Sequence, residues 1–225
     1  MRRDFVFGVD LDGVCGDYTA AFREVVAAVR GVDPSTLPED RSWDFSEWGI
    51  DSPEEFDRLH KIAVLEHRIF RKMPAFPGAA EALWRLSDAG VWIRIITHRL
   101  FTNWGHATAV ADTVAWLDEH GIPYRDICFL GAKPQVEAQC YVDDATHNVL
   151  ALREAGNHVI VFDAPYNRDV DGPRARSWEE VEALVLERAA QLGFAMQVPL
   201  PGVDDGADRL TRRLGLRPAD GRPQL

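Results

Sequence analysis

Two aspartates, Asp10 and Asp12, stand one residue apart directly after the apolar run of residues 5–9. Side chains alternate along a strand, so both carboxylates leave the predicted strand on the same face. Gly13 follows them and allows a sharp turn that brings the backbone close to a ligand. Paired carboxylates at the end of a buried strand are suited to hold a hard divalent cation, and one of them can attack or transfer protons. A solvated acidic turn is the alternative for these residues taken alone.

The composition predicts a folded chain. The 225 residues are 46% hydrophobic and include seven tryptophans, which excludes a disordered chain. The formal net charge of −11 argues against a nucleic-acid polymer as partner, because that surface needs a basic stripe. The three cysteines lack C-x-x-C spacing, so we expect neither a disulfide framework nor a zinc knuckle. Without a signal peptide or an apolar stretch of about 18 residues, we expect a cytoplasmic protein with no membrane partner. The oligomeric state stays open.

Short apolar strands alternate with helices from about residue 77 onwards. The strands are predicted at residues 5–9, 91–96, 127–130, 139–142 and 158–162. The helices are predicted at residues 79–89, 108–120 and 148–154, with a last one that begins after Ser177. This alternation predicts an α/β fold in which a parallel, Rossmann-like sheet is flanked by helices.

The segment of residues 15–73 interrupts this alternation. Two helices are predicted in it, at residues 17–30 and 53–70. We interpret the segment as a small helical cap, inserted after the first strand and placed over the carboxyl edge of the sheet. Residues 1–14 and 74–195 then form the α/β core. Residues 196–225 are rich in Pro, Gly, Asp and Arg, and we expect them to form a peripheral or disordered tail.

Polar residues follow the predicted strands at the edge where ligands bind in open α/β sheets. Thr97 ends the second strand, Lys133 precedes the fourth, and Asp143 and Asp144 follow it. Together with the D-x-D-G-V motif after the first strand, this ordered set resembles the haloacid dehalogenase-like (HAD) superfamily of phosphohydrolases. That superfamily combines D-x-D-G-[TV], an apolar strand ending in Thr or Ser, a Lys and an acidic pair. The resemblance covers residues 5–165.

The resemblance implies catalytic roles for the acidic motif and a Mg2+ cofactor. Asp10 would attack the phosphorus atom of a phosphate monoester and form an aspartyl-phosphate. Asp12 would protonate the leaving oxygen and then activate the water that hydrolyses the intermediate. The Mg2+ ion would be held by Asp10, by the backbone carbonyl of Asp12, and by Asp143 and Asp144. Which of the last two is the direct ligand stays open.

The resemblance also implies a phosphate-binding set. Thr97 would donate a hydrogen bond to a phosphoryl oxygen, and Lys133 would supply positive charge against the negative oxygens. The backbone N–H groups of Gly13 and Val14 would face the phosphoryl group. Taken singly, a Thr at a strand end is often a turn residue and a Lys before Pro is often solvated. The argument therefore depends on the ordered set.

Three further segments resemble one family within this superfamily. Residues 10–17 have the pattern D-x-D-G-V-x-x-D. Residues 69–79 resemble the segment in which the chain of that family returns from the cap to the core, and residues 163–169 resemble a later segment of the same family. These features resemble the 5′(3′)-deoxyribonucleotidase family, the cytosolic type C 5′-nucleotidases. The sequence departs from that family at residues 97–99, which are Thr-His-Arg where T-S-P is usual. This departure affects the expected leaving-group specificity more than the phosphoryl chemistry.

The predicted cap carries residues suited to recognise a nucleobase. Five aromatic side chains are candidates to stack on a base: Tyr18, Phe22, Trp43, Phe45 and Trp48. A small hydrophobic core that joins the two cap helices is an equally good interpretation of them. Three polar residues are further candidates for substrate contacts: Asp17, Arg71 and His98. Surface solvation is the alternative for Arg71, and His60 and His67 are expected at the surface of a helix.

The sequence thus predicts a Mg2+-dependent phosphomonoesterase whose partner is a small-molecule phosphate monoester. The expected substrates are nucleoside 5′-monophosphates, deoxyribonucleotides in particular. One alternative is a phosphatase of the same fold acting on another phosphometabolite, such as a sugar phosphate. A second is a catalytically idle nucleotide-binding protein, but the intact pair Asp10 and Asp12 argues against it. No ATP-phosphate loop is visible in the sequence, which argues against a kinase.

Overall fold

Six parallel strands form one sheet in the computed structural model of the chain, which describes residues 4–100 and 102–196. The strands are β1 (Phe5–Val9), β2 (Val91–Thr97), β3 (Asp126–Phe129), β4 (Cys140–Asp143), β5 (Val159–Phe162) and β6 (Arg174–Ala175). Their order across the sheet is β3-β2-β1-β4-β5-β6. The strands that follow β1 in the order β2, β3 lie on one side of it and β4, β5, β6 lie on the other, so the strand order reverses between β1 and β4. Ligands bind at such a position in open parallel sheets.

Seven α-helices lie in the described residues. They are α1 (Tyr18–Arg30), α2 (Pro53–Leu65), α3 (Ile69–Lys72), α4 (Ala79–Asp88), α5 (His106–Glu119), α6 (Thr146–Glu154) and α7 (Trp178–Gln191). Side-chain oxygens of Asp17, Ser52 and Ser177 accept the backbone N–H groups that begin α1, α2 and α7. The predicted α/β fold, a Rossmann-like parallel sheet flanked by helices, is confirmed.

Alternate residues of the central strands pack on opposite faces of the sheet. Phe5, Phe7 and Val9 belong to the larger buried cluster, which includes residues of α4 and α7. Val6 packs against a second cluster, which includes Tyr141 and residues of α6. Because both faces are covered, the strands are apolar on both sides, as the sequence pattern indicates.

The predicted strands lie within one residue of their predicted bounds, but β6 was not predicted. It consists of two residues, Arg174 and Ala175, which pair with Val161 and Phe162 of β5. Two residues are too few to show an alternating pattern. Only the neighbouring strand defines this element.

The prediction of one helix over residues 53–70 is wrong. α2 ends at Leu65, and α3 begins after Arg68, whose φ of 57° lies in the left-handed region. In this conformation Arg68 Nε donates to Asp112 Oδ2 at 2.7 Å, and Nη2 donates to the other carboxylate oxygen at 2.5 Å. A buried carboxylate on α5 therefore accompanies the break, and helical periodicity within the segment carries no sign of it.

Most of the residues in one hydrophobic cluster come from the segment of residues 15–73, with Ala109 of α5 as the buried exception. The cluster joins α1, α2 and α3 through side chains such as Phe22, Trp48, Leu59 and Phe70. This cluster supports the division into a core and a cap, which we retain as a proposal.

The predicted tail, residues 196–225, lies outside the described residues except for Met196. Across residues 4–100 and 102–196, no helix has both the length and the apolar character needed to cross a bilayer.

Candidate active site

The carboxyl ends of β1, β2 and β4 bring the predicted catalytic residues together. Asp10 follows β1, Thr97 ends β2 and Asp143 ends β4. Lys133 reaches them from a short 3-10 helix before β4. Its Nζ lies 2.8 Å from Asp10 Oδ1 and 2.5 Å from Asp143 Oδ2. Lys133 is 3% exposed, so the solvated surface position considered for it is excluded.

Burial has the largest effect on the charges of this cluster. It raises the pKa of Asp10 to about 7, an effect that Lys133 opposes and that Asp143 and Asp12 reinforce. Burial also raises the pKa of Asp144 well above its usual range. For Lys133, burial lowers the pKa, but contact with Asp10 and Asp143 outweighs burial and raises it overall. The lysine therefore stays charged beside its carboxylates.

Three buried carboxylates converge at one point. Oxygen atoms of Asp10, Asp143 and Asp144 lie within 4.8 Å of one another. The Asn148 side chain donates to Asp143 Oδ1 at 3.2 Å, and the Tyr166 hydroxyl donates to Asp144. Carboxylate oxygens are the ligands that hard cations such as Mg2+ take in proteins. The donor set therefore fits the predicted cofactor.

The predicted phosphate-binding groups differ in how free they are to bind. Thr97 is 1% exposed, and its hydroxyl has no hydrogen-bond partner among the described residues, which fits a group held for a ligand. The Gly13 N–H, in contrast, donates to the Gly16 carbonyl at 2.9 Å, and the Val14 N–H donates to the Leu11 carbonyl at 3.3 Å. Both amides close the turn after β1. This differs from the prediction that they face a phosphoryl group.

Asp12 has a partner that the motif does not reveal. Arg99 donates to both of its carboxylate oxygens, from Nε at 3.0 Å and from Nη2 at 2.7 Å. Arg99 Nη1 also donates to Thr113 Oγ1 at 2.9 Å, and the guanidinium carbon lies 4.3 Å from the centre of the Phe70 ring. The position that departs from T-S-P therefore contacts the second aspartate directly.

A cavity of about 670 Å3 separates these residues from the helices of residues 15–73. Asp10, Asp12, Lys133 and Asp144 line it on the side of the sheet. Aromatic rings line it elsewhere: Tyr18, Trp43, Phe45, Phe56, Phe70 and Tyr166. The volume lies in the range of small-molecule sites, and the mixture of apolar walls with a few polar groups is typical of them.

The predicted substrate contacts fall into two groups. Four of them line the cavity: Tyr18, Trp43, Phe45 and His98. Phe22 and Trp48 instead lie inside the cluster that joins the cap helices, as the alternative interpretation has it. Asp17 caps α1, and Arg71 pairs with Glu119 at the surface. The structure does not bring these last four residues to the cavity.

Several lining residues were not assigned to the site from sequence. His60 was expected at the surface, but its Nδ1 forms a hydrogen bond of 2.8 Å with the Tyr18 hydroxyl. Its spacing of four residues from Phe56 places both on one face of α2, a signal that could have found it. Arg41 is 5% exposed, and its guanidinium carbon lies 3.7 Å from the centre of the Phe45 ring. Nothing in the polar loop around Arg41 indicates this burial.

The fold is shared with solved hydrolases. A HAD family hydrolase from Deinococcus radiodurans R1, solved with bound phosphate and sodium, has a TM-score of 0.56 and 19% identity, and the match covers 83% of this chain and 96% of that chain. A HAD-superfamily hydrolase of subfamily IA from Geobacter sulfurreducens has a TM-score of 0.51 and 15% identity, over 81% and 96% of the two chains. The fold is therefore that of the haloacid dehalogenase-like hydrolases.

Sequence comparison identifies the family within that class. Residues 4–192 match the family described as "5' nucleotidase, deoxy (Pyrimidine), cytosolic type C protein". A relative from Chlorobaculum tepidum is 46% identical over 184 residues, which are 82% of this chain and 91% of that protein. One from Bordetella pertussis is 30% identical over 189 residues, 80% and 97% of the two chains. Both are named "Putative 5'(3')-deoxyribonucleotidase".

The chain belongs to this cytosolic type C 5′-nucleotidase family. It is accordingly a hydrolase of the 5′-nucleotidase phosphatase class. The family and the enzyme class predicted from the sequence are confirmed.

Proposed function

We propose that the protein is a Mg2+-dependent phosphomonoesterase that hydrolyses nucleoside 5′-monophosphates, deoxyribonucleotides in particular, through an aspartyl-phosphate on Asp10. The observation that carries the proposal is the buried contact of Lys133 with Asp10, 2.8 Å long, beside a cavity lined by aromatic rings. The family supports the phosphatase chemistry, and the names of the relatives support deoxyribonucleotide substrates. The family description also supports a cytoplasmic location.

Asp10, Asp143 and Asp144 are the residues that would hold Mg2+, together with the backbone carbonyl of Asp12. The bound ion would supply positive charge against the phosphate oxygens and the carboxylates. The close approach of three buried carboxylates supports this assignment, because their mutual repulsion calls for a cation beyond Lys133.

Asp10 supplies the nucleophile. In its ionised form one carboxylate oxygen forms a bond to phosphorus while the bond from phosphorus to the ester oxygen breaks. Lys133 lies next to that carboxylate and would stabilise the charge on the phosphoryl oxygens. The Thr97 hydroxyl, which has no partner among the described residues, would donate to one of those oxygens.

Asp12 is the group that would move protons. It would give a proton to the leaving oxygen as the nucleoside departs. The carboxylate would then accept a proton from the water that attacks the aspartyl-phosphate, which releases phosphate and restores Asp10. Its position beside the cavity, two residues after the nucleophile, supports this role.

The cavity favours a nucleoside over a sugar as the leaving group. Tyr18, Phe45 and Phe56 present aromatic surface, and stacking of a base on an aromatic side chain is worth about 1–3 kcal/mol. Trp43, which is 49% exposed, packs edge-to-face against His147 and Tyr166 and so extends this surface. A sugar phosphate has no aromatic base to stack on this surface.

The experiment is phosphate release from a panel of deoxy- and ribonucleoside monophosphates and sugar phosphates, with Mg2+ and with chelator. We expect Mg2+-dependent turnover led by a deoxyribonucleotide. Asp10→Asn should reduce kcat by at least about a thousandfold, because an amide oxygen cannot act as the nucleophile. Circular dichroism should show an unchanged fold, since Lys133 keeps its contact with Asp143.

The other outcomes separate the alternatives. Turnover led by a sugar phosphate would keep the phosphatase chemistry and refute the proposed substrate. Nucleotide binding without turnover of any substrate would support the idle binding protein. Turnover by Asp10→Asn within tenfold of the unaltered protein would remove Asp10 as the nucleophile.

A further inference from the structure

We propose that Arg99 is a positioning residue that orients the carboxylate of Asp12 for proton transfer to the leaving group. The inference rests on the proposed phosphomonoesterase reaction and adds to it the group that aligns its acid. The geometry that points to it is the two-pronged contact, in which Arg99 Nε and Nη2 each donate to a different oxygen of Asp12 at 3.0 and 2.7 Å.

Arg99 is itself held in place by elements on several sides. Thr113 on α5 donates its hydroxyl to the Ala109 carbonyl at 2.7 Å, which turns an oxygen lone pair toward Arg99 Nη1 at 2.9 Å. The Phe70 ring on α3 covers one face of the guanidinium, and Met73 Sδ lies 3.6 Å from Nη2. The position of the guanidinium is therefore fixed by contacts that do not involve Asp12.

Asp12 is the more exposed partner of the pair. Its side chain is 28% exposed and faces the cavity, whereas the Arg99 side chain is 1% exposed. A carboxylate at the edge of a cavity can rotate, and a misplaced acid transfers protons poorly. The two-pronged contact with the planar guanidinium opposes this rotation and holds the carboxylate in one orientation. Each oxygen keeps a second lone-pair site, so the contact leaves room for the leaving oxygen.

The alternative is an ion pair that only ties the end of β2 to the turn after β1. The two roles make different predictions for substrates that differ in leaving group. A poor leaving group needs a proton from Asp12, whereas nitrophenolate departs without one. A merely structural contact would affect both substrates alike.

The test compares Arg99→Lys with the unaltered protein on phenyl phosphate and p-nitrophenyl phosphate in the presence of Mg2+. Lysine keeps the charge and loses the two-pronged geometry. The quantity measured is kcat/KM, because it covers the steps up to departure of the leaving group. Arg94→Lys is the matched control. Arg94 lies on β2, the strand that precedes Arg99, and makes the same two-pronged contact with Asp126, at 2.7 Å for each bond, outside the cavity.

We expect Arg99→Lys to lower kcat/KM by about 10- to 100-fold for phenyl phosphate and by less than about threefold for p-nitrophenyl phosphate. Arg94→Lys should change neither. In a protein that already carries Asp12→Asn, Arg99→Lys should cause no further loss, since the residue acts through that carboxylate. Equal losses on both substrates, or a further loss in the Asp12→Asn background, would overturn the inference.

Thr113→Val gives a second route if Arg99→Lys does not fold. It removes one anchor of the guanidinium at nearly constant volume, and we expect a smaller loss with the same dependence on the leaving group. A Thr113→Val protein with equal kcat/KM losses on both substrates would contradict the role of Arg99. Failure of the proposed function is recognised separately, because the unaltered protein would then release no phosphate from any monoester or would release it fastest from a sugar phosphate.

Discussion

Four aspartates lie at the carboxyl ends of β1 and β4: Asp10, Asp12, Asp143 and Asp144. Among the residues that the structure describes, two cations form ion pairs with them, Lys133 and Arg99. Lys133 contacts Asp10 and Asp143, whereas Arg99 contacts Asp12 and none of the other three carboxylates. The proposed nucleophile, Asp10, and the proposed acid, Asp12, therefore have separate cationic neighbours. Two carboxylates with identical chemistry can act in different roles because their surroundings differ.

Gly13 allows the turn after β1 to approach the acidic pair after β4. Its φ is 82°, and a Cβ atom there would lie 2.1 Å from Asp144 Oδ2. We expect Gly13→Ala to destabilise the protein by more than the cost of about 1–2 kcal/mol for a left-handed alanine, because the carboxylate must also move. Urea denaturation measures the difference.

Gly31→Ala is the control for that prediction. Gly31 has a φ of 66°, and a Cβ atom there would meet nothing within 4 Å. It therefore isolates the backbone term. Equal losses of stability in the two variants would show that the contact with Asp144 has no cost.

Two ion pairs connect α3 and the residue before it to α5, one of them partly buried and the other exposed. Asp112 is buried and its partner is Arg68, whereas Arg71 and Glu119 form a pair at the surface. We expect Arg68→Met to lower Tm, because it leaves a buried carboxylate without its cation. Arg71→Met should leave Tm nearly unchanged, since exposed pairs contribute little. Similar shifts in thermal denaturation would contradict this account of the helix break.

The face of α2 that lines the cavity makes stability depend on pH. His60 stacks on Phe56 with 7° between the ring planes, and burial lowers the pKa of His60. The unfolded chain therefore binds more protons than the folded chain in mild acid, and the free energy of unfolding falls as pH drops through about 6.5. Burial acts in the same direction on His98, His147 and His158.

His60→Gln tests the contribution of that side chain. Glutamine does not titrate and can still hydrogen-bond to Tyr18, so the decrease in unfolding free energy between pH 7.5 and 5.5 should be smaller in the variant. Urea denaturation at several pH values gives the slope. An identical slope in both proteins would show that His60 takes up no proton on unfolding.

At the scale of the whole molecule, the core and the residues above it enclose a site whose own charge opposes folding. The chain has a net charge of −11, and three of its carboxylates converge in the buried cluster. We expect Mg2+ to raise Tm. The free energy of unfolding should increase by about 2.7 kcal/mol when the Mg2+ concentration is a hundred times its Kd. Sodium chloride at matched ionic strength is the control for general screening.

Asp144→Asn separates binding at this cluster from binding elsewhere on the acidic surface. The variant removes one of the three converging carboxylates, so the Mg2+ concentration needed for half of the Tm shift should rise. An unchanged Mg2+ dependence would place the stabilising ion at another site.

The amino-acid sequence was enough to predict the strands β1 to β5, the order of the acidic, Thr and Lys residues along them, and the family. These features are local: a strand shows its alternation, and a motif shows its spacing, within a few neighbouring residues. Because parallel strands end at one edge, the order of the motifs was enough to predict that Asp10, Thr97, Lys133 and Asp143 meet.

The side-chain partners across that edge depend on how distant segments pack, and the sequence did not show them. Arg99 and Asp12 are 87 positions apart, and Arg68 and Asp112 are 44 apart. No pattern within a segment records such a contact, so the cation on Asp12 and the break after α2 were not predicted. The same limit applies to the cap aromatics. Phe22 and Phe45 look alike in sequence and belong to the same buried cluster, but packing brings only Phe45 of the two to the wall of the cavity.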